Sequence, residues 1–307
     1  MVIIMFKYTL DNKRYHTLNY FFRNKFGCKI AKIPLDANIN CPNKVNGGCI
    51  YCSDNSAANI INKDLSLINQ FKEETKILNK KWPDAKYIAY LQAGTNTNTS
   101  VANLKKLCDP LIELHDCVGI SIATRPDSIN EECLTYLEQL NKKTFLTVEL
   151  GLQSNNNNTL KYINRGHTKE DFEKCVKRLH EKNIFVVVHI INGLPNETKE
   201  DMINTVKYVN SLNIEGIKIH MLHIVKNTKL AKIYSEHPFH VLTMEEYIEI
   251  VCTQLRYLNE NMVIERITGD PIKEDLIEPQ WLVKKFIVLN NIDKEMTKKD
   301  IFQGDML

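Results

Sequence analysis

No stretch of this 307-residue chain is apolar for long enough to cross a membrane. The N-terminal patch Val2-Ile3-Ile4-Met5-Phe6 is too short for the core of a secretory signal. The longest later apolar stretch, residues 184–191, is strand-sized and carries His189. No membrane partner is expected, and the protein reads as cytoplasmic. Charge of one sign is not in excess: 40 Lys and Arg face 37 Asp and Glu, so a net charge of +3 permits an anionic partner without demanding one. Internal repeats and Gly/Ser/Pro-rich linkers are missing. The odd count of nine cysteines does not suit a disulfide framework. Six of them (Cys28, Cys108, Cys117, Cys133, Cys175, Cys252) stand singly in patterned segments and read as small core residues in a reducing compartment. What remains, 43% apolar and 25% charged residues, is ordinary for a globular chain able to bury a large core.

The other three cysteines crowd into Cys41-Pro42-Asn43-Lys44-Val45-Asn46-Gly47-Gly48-Cys49-Ile50-Tyr51-Cys52, where two glycines let the backbone turn tightly. Three thiolates so placed point to one metal site. A structural zinc site is normally closed by four ligands, whereas three cysteines on a [4Fe-4S] cluster leave one iron open to something that is not protein. Spacing alone leaves the metal open, because Cys28, His16 or a distant histidine would complete a zinc site.

Around this loop the chain alternates. Apolar and aromatic residues at helical spacing over 14–25, ended by Gly27, precede a strand over 28–35 that feeds the cysteine loop. Helix and strand pairs follow at 65–81 and 87–91, 101–115 and 118–123, 129–140 and 145–150, 169–182 and 184–191, and 201–212 and 216–221. Ser128 with Glu131, Thr168 with Asp171, Thr198 with Asp201 and Thr243 with Glu246 have capping-box spacing. The asparagine run at 155–158 reads as a solvated turn before a short helix. Such alternation means a parallel sheet with right-handed crossovers. Polar and glycine-containing signatures gather at the carboxyl end of every strand, as a site across the mouth of a barrel requires. The expected fold is α/β: an N-terminal helical segment (1–27), a partial (β/α)6 TIM-like barrel (28–223) and a C-terminal α/β extension (224–307). That extension should hold helices at 244–258 and 281–298 and a strand at 263–267.

The cysteine loop followed by this rhythm resembles the radical SAM superfamily, and within it the YhcC/YtqA (MnmL)-type branch related to the Elongator catalytic subunit. The resemblance is carried by Lys32-Ile33-Pro34-Leu35-Asp36, Cys41-Pro42-Asn43, Gly48-Cys49-Ile50-Tyr51-Cys52, Thr124-Arg125-Pro126-Asp127 and Glu149-Leu150-Gly151-Leu152-Gln153-Ser154. It continues in Asn164-Arg165-Gly166-His167, Lys218-Ile219-His220, Arg266-Ile267-Thr268-Gly269-Asp270 and Gln303-Gly304. The commonest superfamily spacing is Cys-x3-Cys-x2-Cys; here seven residues, 42–48, separate the first two cysteines, which resembles this branch in particular.

The resemblance implies that Cys41, Cys49 and Cys52 hold a [4Fe-4S] cluster and that S-adenosylmethionine chelates the fourth iron. One electron, from a donor such as flavodoxin or ferredoxin, then releases a 5'-deoxyadenosyl radical that abstracts a substrate hydrogen. It places Gln92, Gly94 and Thr95 near the methionine amino group, Glu149 and Gln153 at the ribose hydroxyls or methionyl end, and Arg125 on a carboxylate. Read from the residues alone, Arg125 equally pairs with Asp127, Gln153 equally caps the following helix, and His220 and His223 equally serve substrate or structure.

The same kinship implies tRNA as partner. The implied reaction converts 5-carboxymethylaminomethyl-uridine at the wobble position to 5-aminomethyl-uridine. Acetyl transfer is not expected, because the chain leaves no room for the Elongator acetyltransferase domain. Lys142-Lys143, Arg165, Lys218, Lys284-Lys285 and Lys298-Lys299 are candidates to meet phosphates at the mouth, although paired lysines more often mark solvated faces. A radical SAM enzyme on a small molecule or protein side chain, and a non-catalytic zinc module, are the competing readings. If the three loop cysteines suffice, Cys49→Ala abolishes metal binding in an iron and zinc determination while Cys28→Ala retains it. Loss of metal from Cys28→Ala would make that residue a ligand.

Overall fold

The computed structural model describes residues 6–53 and 61–307; residues 2–5 of the N-terminal apolar patch lie outside them. Strands β1 (Ile30–Leu35), β2 (Lys86–Leu91), β3 (Cys117–Thr124), β4 (Phe145–Gln153), β5 (Phe185–Asn192) and β6 (Gly216–Met221) pair in parallel in chain order. Beyond β6 comes the short β7 (Ile224–Val225), and then β8 (Val263–Arg266) joins β6 as a seventh parallel strand. The sheet is curled into a half-barrel. A separate antiparallel pair joins β7 to β9 (Leu276–Glu278).

The helices are α1 (Leu18–Phe26), α2 (Leu67–Lys81), α3 (Val101–Ile112), α4 (Glu131–Asn141), α5 (Asn157–Tyr162), α6 (Lys169–His180), α7 (Lys199–Ser211), α8 (Lys229–Glu236), α9 (Met244–Arg256) and α10 (Lys285–Lys298). Capping boxes start α6, α7 and α9 from Thr168, Thr198 and Thr243. Ser128 does not start α4: it ends a 3-10 turn, and Asn130 accepts the Cys133 N–H at 2.8 Å instead. Asparagine is as good an N-cap as serine, so the helix start moves on two residues at no cost. None of the helices among the described residues is long and apolar enough to cross a membrane.

Alternation along the strands sorts the side chains into two faces. Ile33, Leu35, Ile120, Ile122, Leu146, Val148, Val186, Val188, Ile217 and Ile219 join the helices in the main core and are at most 1% exposed. The other face lines the barrel, and its amino-terminal end is closed by aromatic rings. Phe21 and Phe26 of α1 meet Phe145 at 6.2 and 5.7 Å, Phe21 meets Phe185 at 5.4 Å, and Phe22 packs on Ile30 and Ile88.

The placement of α1 follows from its ends. Thr17 caps it by accepting the Tyr20 N–H and bridges in parallel to Ile264 of β8, while Gly27 leaves it through the left-handed region into β1. The helix therefore spans the two open edges of the half-barrel. Near the C-terminus, Gln303 locks this seam: its amide accepts from His16 N–H at 2.7 Å and donates to the carbonyls of Asn259 and Met262 at 2.7 and 2.9 Å. Removing the Phe22 ring, which is 3% exposed, opens the floor of the barrel. Phe22→Ala is expected to lower unfolding stability by about 3–5 kcal/mol in urea titration, with loss below 1 kcal/mol contradicting a packed floor.

Candidate active site

The cysteine loop leaves the carboxyl end of β1 and is docked on the turn Asn164-Arg165-Gly166 after α5. Ile50 N–H donates to the Ile163 carbonyl at 3.0 Å, and the Asn164 side chain donates to the carbonyls of Asn46 and Gly48 at 3.0 and 2.7 Å. Asn43 donates to the Asn164 carbonyl at 2.7 Å and approaches the Cys49 sulfur at 3.7 Å. Gly166 is required by this closeness: its φ is +78°, and a Cβ there would fall 2.6 Å from Asn43 Oδ1. Cys49 is buried, Cys41 half-buried and Cys52 exposed. Cys28 lies at the opposite end of β1, among the floor rings, about 20 Å away by strand length. Buried His16 sits at that same end, against the Asn261 carbonyl.

Arg165 is the cation of this loop. It is buried, approaches the Cys49 sulfur at 3.8 Å through Nη1 and donates to the Gly151 carbonyl of β4 at 2.8 Å through Nη2. Arg125 is committed to the same framework. Its Nε and Nη2 grip Asp127 at 2.8 and 2.7 Å, and Nη1 donates to the Arg165 carbonyl at 2.8 Å. Amide and guanidinium N–H groups aimed at a sulfur are the hydrogen-bond donors that a cluster-bound thiolate accepts from. This donor set fits an anionic thiolate-ligated cluster. Among the described residues no three His, Cys, Asp or Glu side chains converge on a single metal-ion position; cluster thiolates each meet a different iron.

Beneath the mouth lies a layer of charge. Glu149 of β4, 1% exposed, accepts at Oε1 from Lys32 of β1 at 2.9 Å and Ser121 of β3 at 2.7 Å. At Oε2 it accepts from Tyr90 of β2 at 2.7 Å, His189 of β5 at 2.7 Å and Lys218 of β6 at 2.5 Å. Glu265 of β8 takes Lys32 at 2.6 Å and Lys218 at 3.5 Å. Burial alone would push the Glu149 carboxyl up; Lys218, Lys32 and the His189 bond reverse this and hold it well below the usual carboxylate range.

The other residues named from sequence divide. Gln92 lines a cavity of about 410 Å³ together with Lys32, Tyr90, Lys218 and Glu265. Gly94, at φ +76°, brings the loop after β2 onto the loop after β1, where a Cβ would fall 1.9 Å from the Ile39 carbonyl oxygen; Thr95 N–H reaches the same oxygen at 3.4 Å. Gln153 ends β4 in the left-handed region at φ +76°, with its amide beside Gly151. The cap of α5 is Asn156, so Gln153 does not cap that helix. Arg165 and Lys218 are buried and committed to the cysteine loop and to Glu149, and Lys142-Lys143 lie where α4 returns to the floor end, so none of these four is placed to meet phosphates at the mouth. Lys285 pairs with Asp270 at 2.6 Å and Lys299 with Glu295 at 2.7 Å. Tyr90, Ser121, His189 and Glu265 were not read as site residues. Their signal is a polar residue on the inward face of an otherwise apolar strand, as in Ile217-Lys218-Ile219 or Val188-His189-Ile190.

A parallel half-barrel with a three-cysteine loop at its mouth is the setting in which the family comparisons fall. The pattern of the radical SAM superfamily matches residues 39–209 and that of the radical SAM C-terminal domain residues 214–298. The chain belongs to the radical SAM superfamily, whose members bind a [4Fe-4S] cluster and S-adenosylmethionine. YtqA of Bacillus subtilis is 42% identical over 304 residues, 97% of this chain and 94% of YtqA. YhcC of Escherichia coli is 27% identical over 288 residues, 92% of each chain. A partial match, 30% over 140 residues, covers 45% of this chain and 26% of the tRNA uridine(34) acetyltransferase of Methanocaldococcus infernus. The structure of Elp3 from the same archaeon, with its N-terminus deleted, shares the fold at a TM-score of 0.70 and 19% identity, over 90% of this chain and 64% of that one.

The buried histidines set the response to acid. Burial lowers His189 and His220, and pushes His167 and His223 down to about 4. These groups are neutral in the fold at pH 7, whereas in the unfolded chain they take protons near their usual 6.5. The unfolded state therefore binds more protons as pH falls through 6.5, and His167 and His223 alone should each remove about 2 kcal/mol of stability by pH 5. The Glu149 contribution persists at pH 5 and is lost only as pH drops below the ordinary carboxylate range. Urea titrations at pH 7, 6 and 5 should show a steady loss; constant stability would contradict neutral histidines.

Proposed function

We propose that the chain is a radical SAM enzyme that acts on tRNA, oxidising the glycine-derived methylene of wobble 5-carboxymethylaminomethyl-uridine so that water releases the two-carbon fragment as glyoxylate and leaves 5-aminomethyl-uridine. The two electrons are taken up by S-adenosylmethionine, split to methionine and 5'-deoxyadenosine. The observation that carries the radical chemistry is the cysteine loop held on Arg165 at the mouth of the half-barrel. What supports the uridine is the partial identity to a tRNA uridine(34) acetyltransferase and the fold shared with Elp3. The alternating-charge interior is also suited to a substrate arm bearing both an amine and a carboxylate.

In this reading Cys41, Cys49 and Cys52 hold the [4Fe-4S] cluster, which with S-adenosylmethionine supplies hydrogen-atom abstraction once reduced by a donor of the flavodoxin or ferredoxin kind. Arg165 balances thiolate charge and ties the loop to β4, and Arg125 holds Arg165 in place through its carbonyl. Gln92, Gly94 and Thr95 form the strand-end loop assigned to the methionine amino group, and Gln153 is assigned to the ribose hydroxyls or the methionyl end. Glu149, expected there as well, has both oxygens filled by five protein donors and instead serves one layer below, fixing Lys32 and Lys218. A deep site under loops keeps water from reactive species.

The test is an anaerobic incubation of the cluster-loaded protein with dithionite, S-adenosylmethionine and tRNA from cells lacking the gene. Formation of 5'-deoxyadenosine should rise with that tRNA, and mass spectrometry should find 5-aminomethyl-uridine where 5-carboxymethylaminomethyl-uridine stood. Cleavage indifferent to RNA, with the nucleoside unchanged, would reject the tRNA reading in favour of a small-molecule or protein side-chain substrate.

A further inference from the structure

The cavity of about 410 Å³ follows the seam between β1 and β8 beneath α1, and its size falls within the roughly 300–1,000 Å³ of small-ligand clefts. Its wall carries Lys29, Lys32, Tyr90, Lys218, Glu265 and Arg266, among the described residues four cations against one carboxylate. Arg266 is partly offset by Asp270 at 3.1 Å. The two buried carboxylates are not equivalent. Glu149 is closed, with five donors shared between its two oxygens. Glu265, which lines the cavity, is bonded among the described residues through Oε2 alone, to Lys32 and Lys218.

We propose that this seam cavity binds the glycine-like arm of the substrate, its carboxylate taken by Lys32 and Lys218 and its secondary ammonium by Glu265. The assignment deepens the reading above and rests on it for the uridine to which the arm is attached. The physical reason is charge balance among the groups shielded from water, where Lys32 and Lys218 are matched by Glu149 and Glu265. Lys29 bonds Asn19, and Arg266, 36% exposed, pairs with Asp270 at the cavity's outer edge. Lys32 and Lys218 have side chains only 11% and 8% exposed, and Glu265 only 2%. A ligand with a single charge entering there leaves an unbalanced ion in a low dielectric, which is costly. A ligand carrying both charges, spaced by one methylene, adds an anion to the lysines and a cation to Glu265 and leaves the sum unchanged. An uncharged ligand gains nothing from the ions it covers. Sites built around such groups reject analogues that lack them more strongly than apolar pockets reject a missing methylene.

Binding to the intact protein, followed by calorimetric titration with free nucleosides, tests this without turnover. The wild type should bind 5-carboxymethylaminomethyl-uridine at least about tenfold more tightly than 5-methylaminomethyl-uridine, which lacks the carboxylate, or 5-carboxymethyl-uridine, which lacks the amine. Glu265→Gln, which keeps the shape, should erase the preference that depends on the amine, and Lys32→Met the one that depends on the carboxylate. Thermal melting identifies any variant that loses its fold, and the wild-type comparison stands without either. Equal wild-type affinities for the three nucleosides, or preferences that survive in both folded variants, would overturn the assignment. N-methylglycine separates the two levels: if it binds with the same dependence on Glu265 and Lys32 while the uridine adds no affinity, the cavity assignment stands and the tRNA reading fails.

Discussion

A carboxylate in the middle of a parallel sheet costs several kcal/mol unless it is fully paired. Glu149 is paired by one side chain from each of β1, β2, β3, β5 and β6. Five strands thus point at one group on the sixth, which requires the sheet to curl and fixes the register of each strand. A slip by one residue would turn Lys32 or Lys218 outward into the helix layer and leave the carboxylate bare. Removing one partner of such a network strands an opposite charge, so its members act as a unit.

The two ends of the barrel are organised around that layer. Below it, the phenylalanines of α1 meet Phe145 and Phe185 and close the floor with aromatic packing. Above it, the mouth is built from polar backbone docking. Arg165 joins the cysteine loop to the end of β4, and Arg125 joins the end of β3 to Arg165. The protein's own hydrogen bonds hold Cys49 and its neighbours to the barrel. Chemistry at the mouth is thereby separated from the packing that supplies most of the stability.

Periodicity made the β/α rhythm legible because the strands are short, apolar and bounded by well-signed helix starts. The cysteine loop was equally plain, since three thiols in twelve residues have few uses. The seventh strand was harder to place: Val263-Ile264-Glu265-Arg266 reads as a strand, but only three-dimensional pairing puts it beside β6 in the same sheet. The role of Glu149 was not legible, because its partners lie between 28 and 117 residues away in sequence and their convergence is a property of the closed sheet. Lys142 and Lys143 are exposed, as a lysine pair suggests, and show a related limit. Paired lysines mark a surface, but not which end of the barrel that surface belongs to.

The family is shown, and the central proposal built on it is reductive cleavage of S-adenosylmethionine at a cluster that Cys41, Cys49 and Cys52 would hold. The most direct measurement is metal and sulfide analysis of anaerobically reconstituted protein, combined with low-temperature electron paramagnetic resonance of the reduced state. About four iron and four sulfide per chain, with a reduced-cluster signal that changes when S-adenosylmethionine is added, is the predicted result. A colourless protein with about one zinc per chain and no iron signal would contradict it.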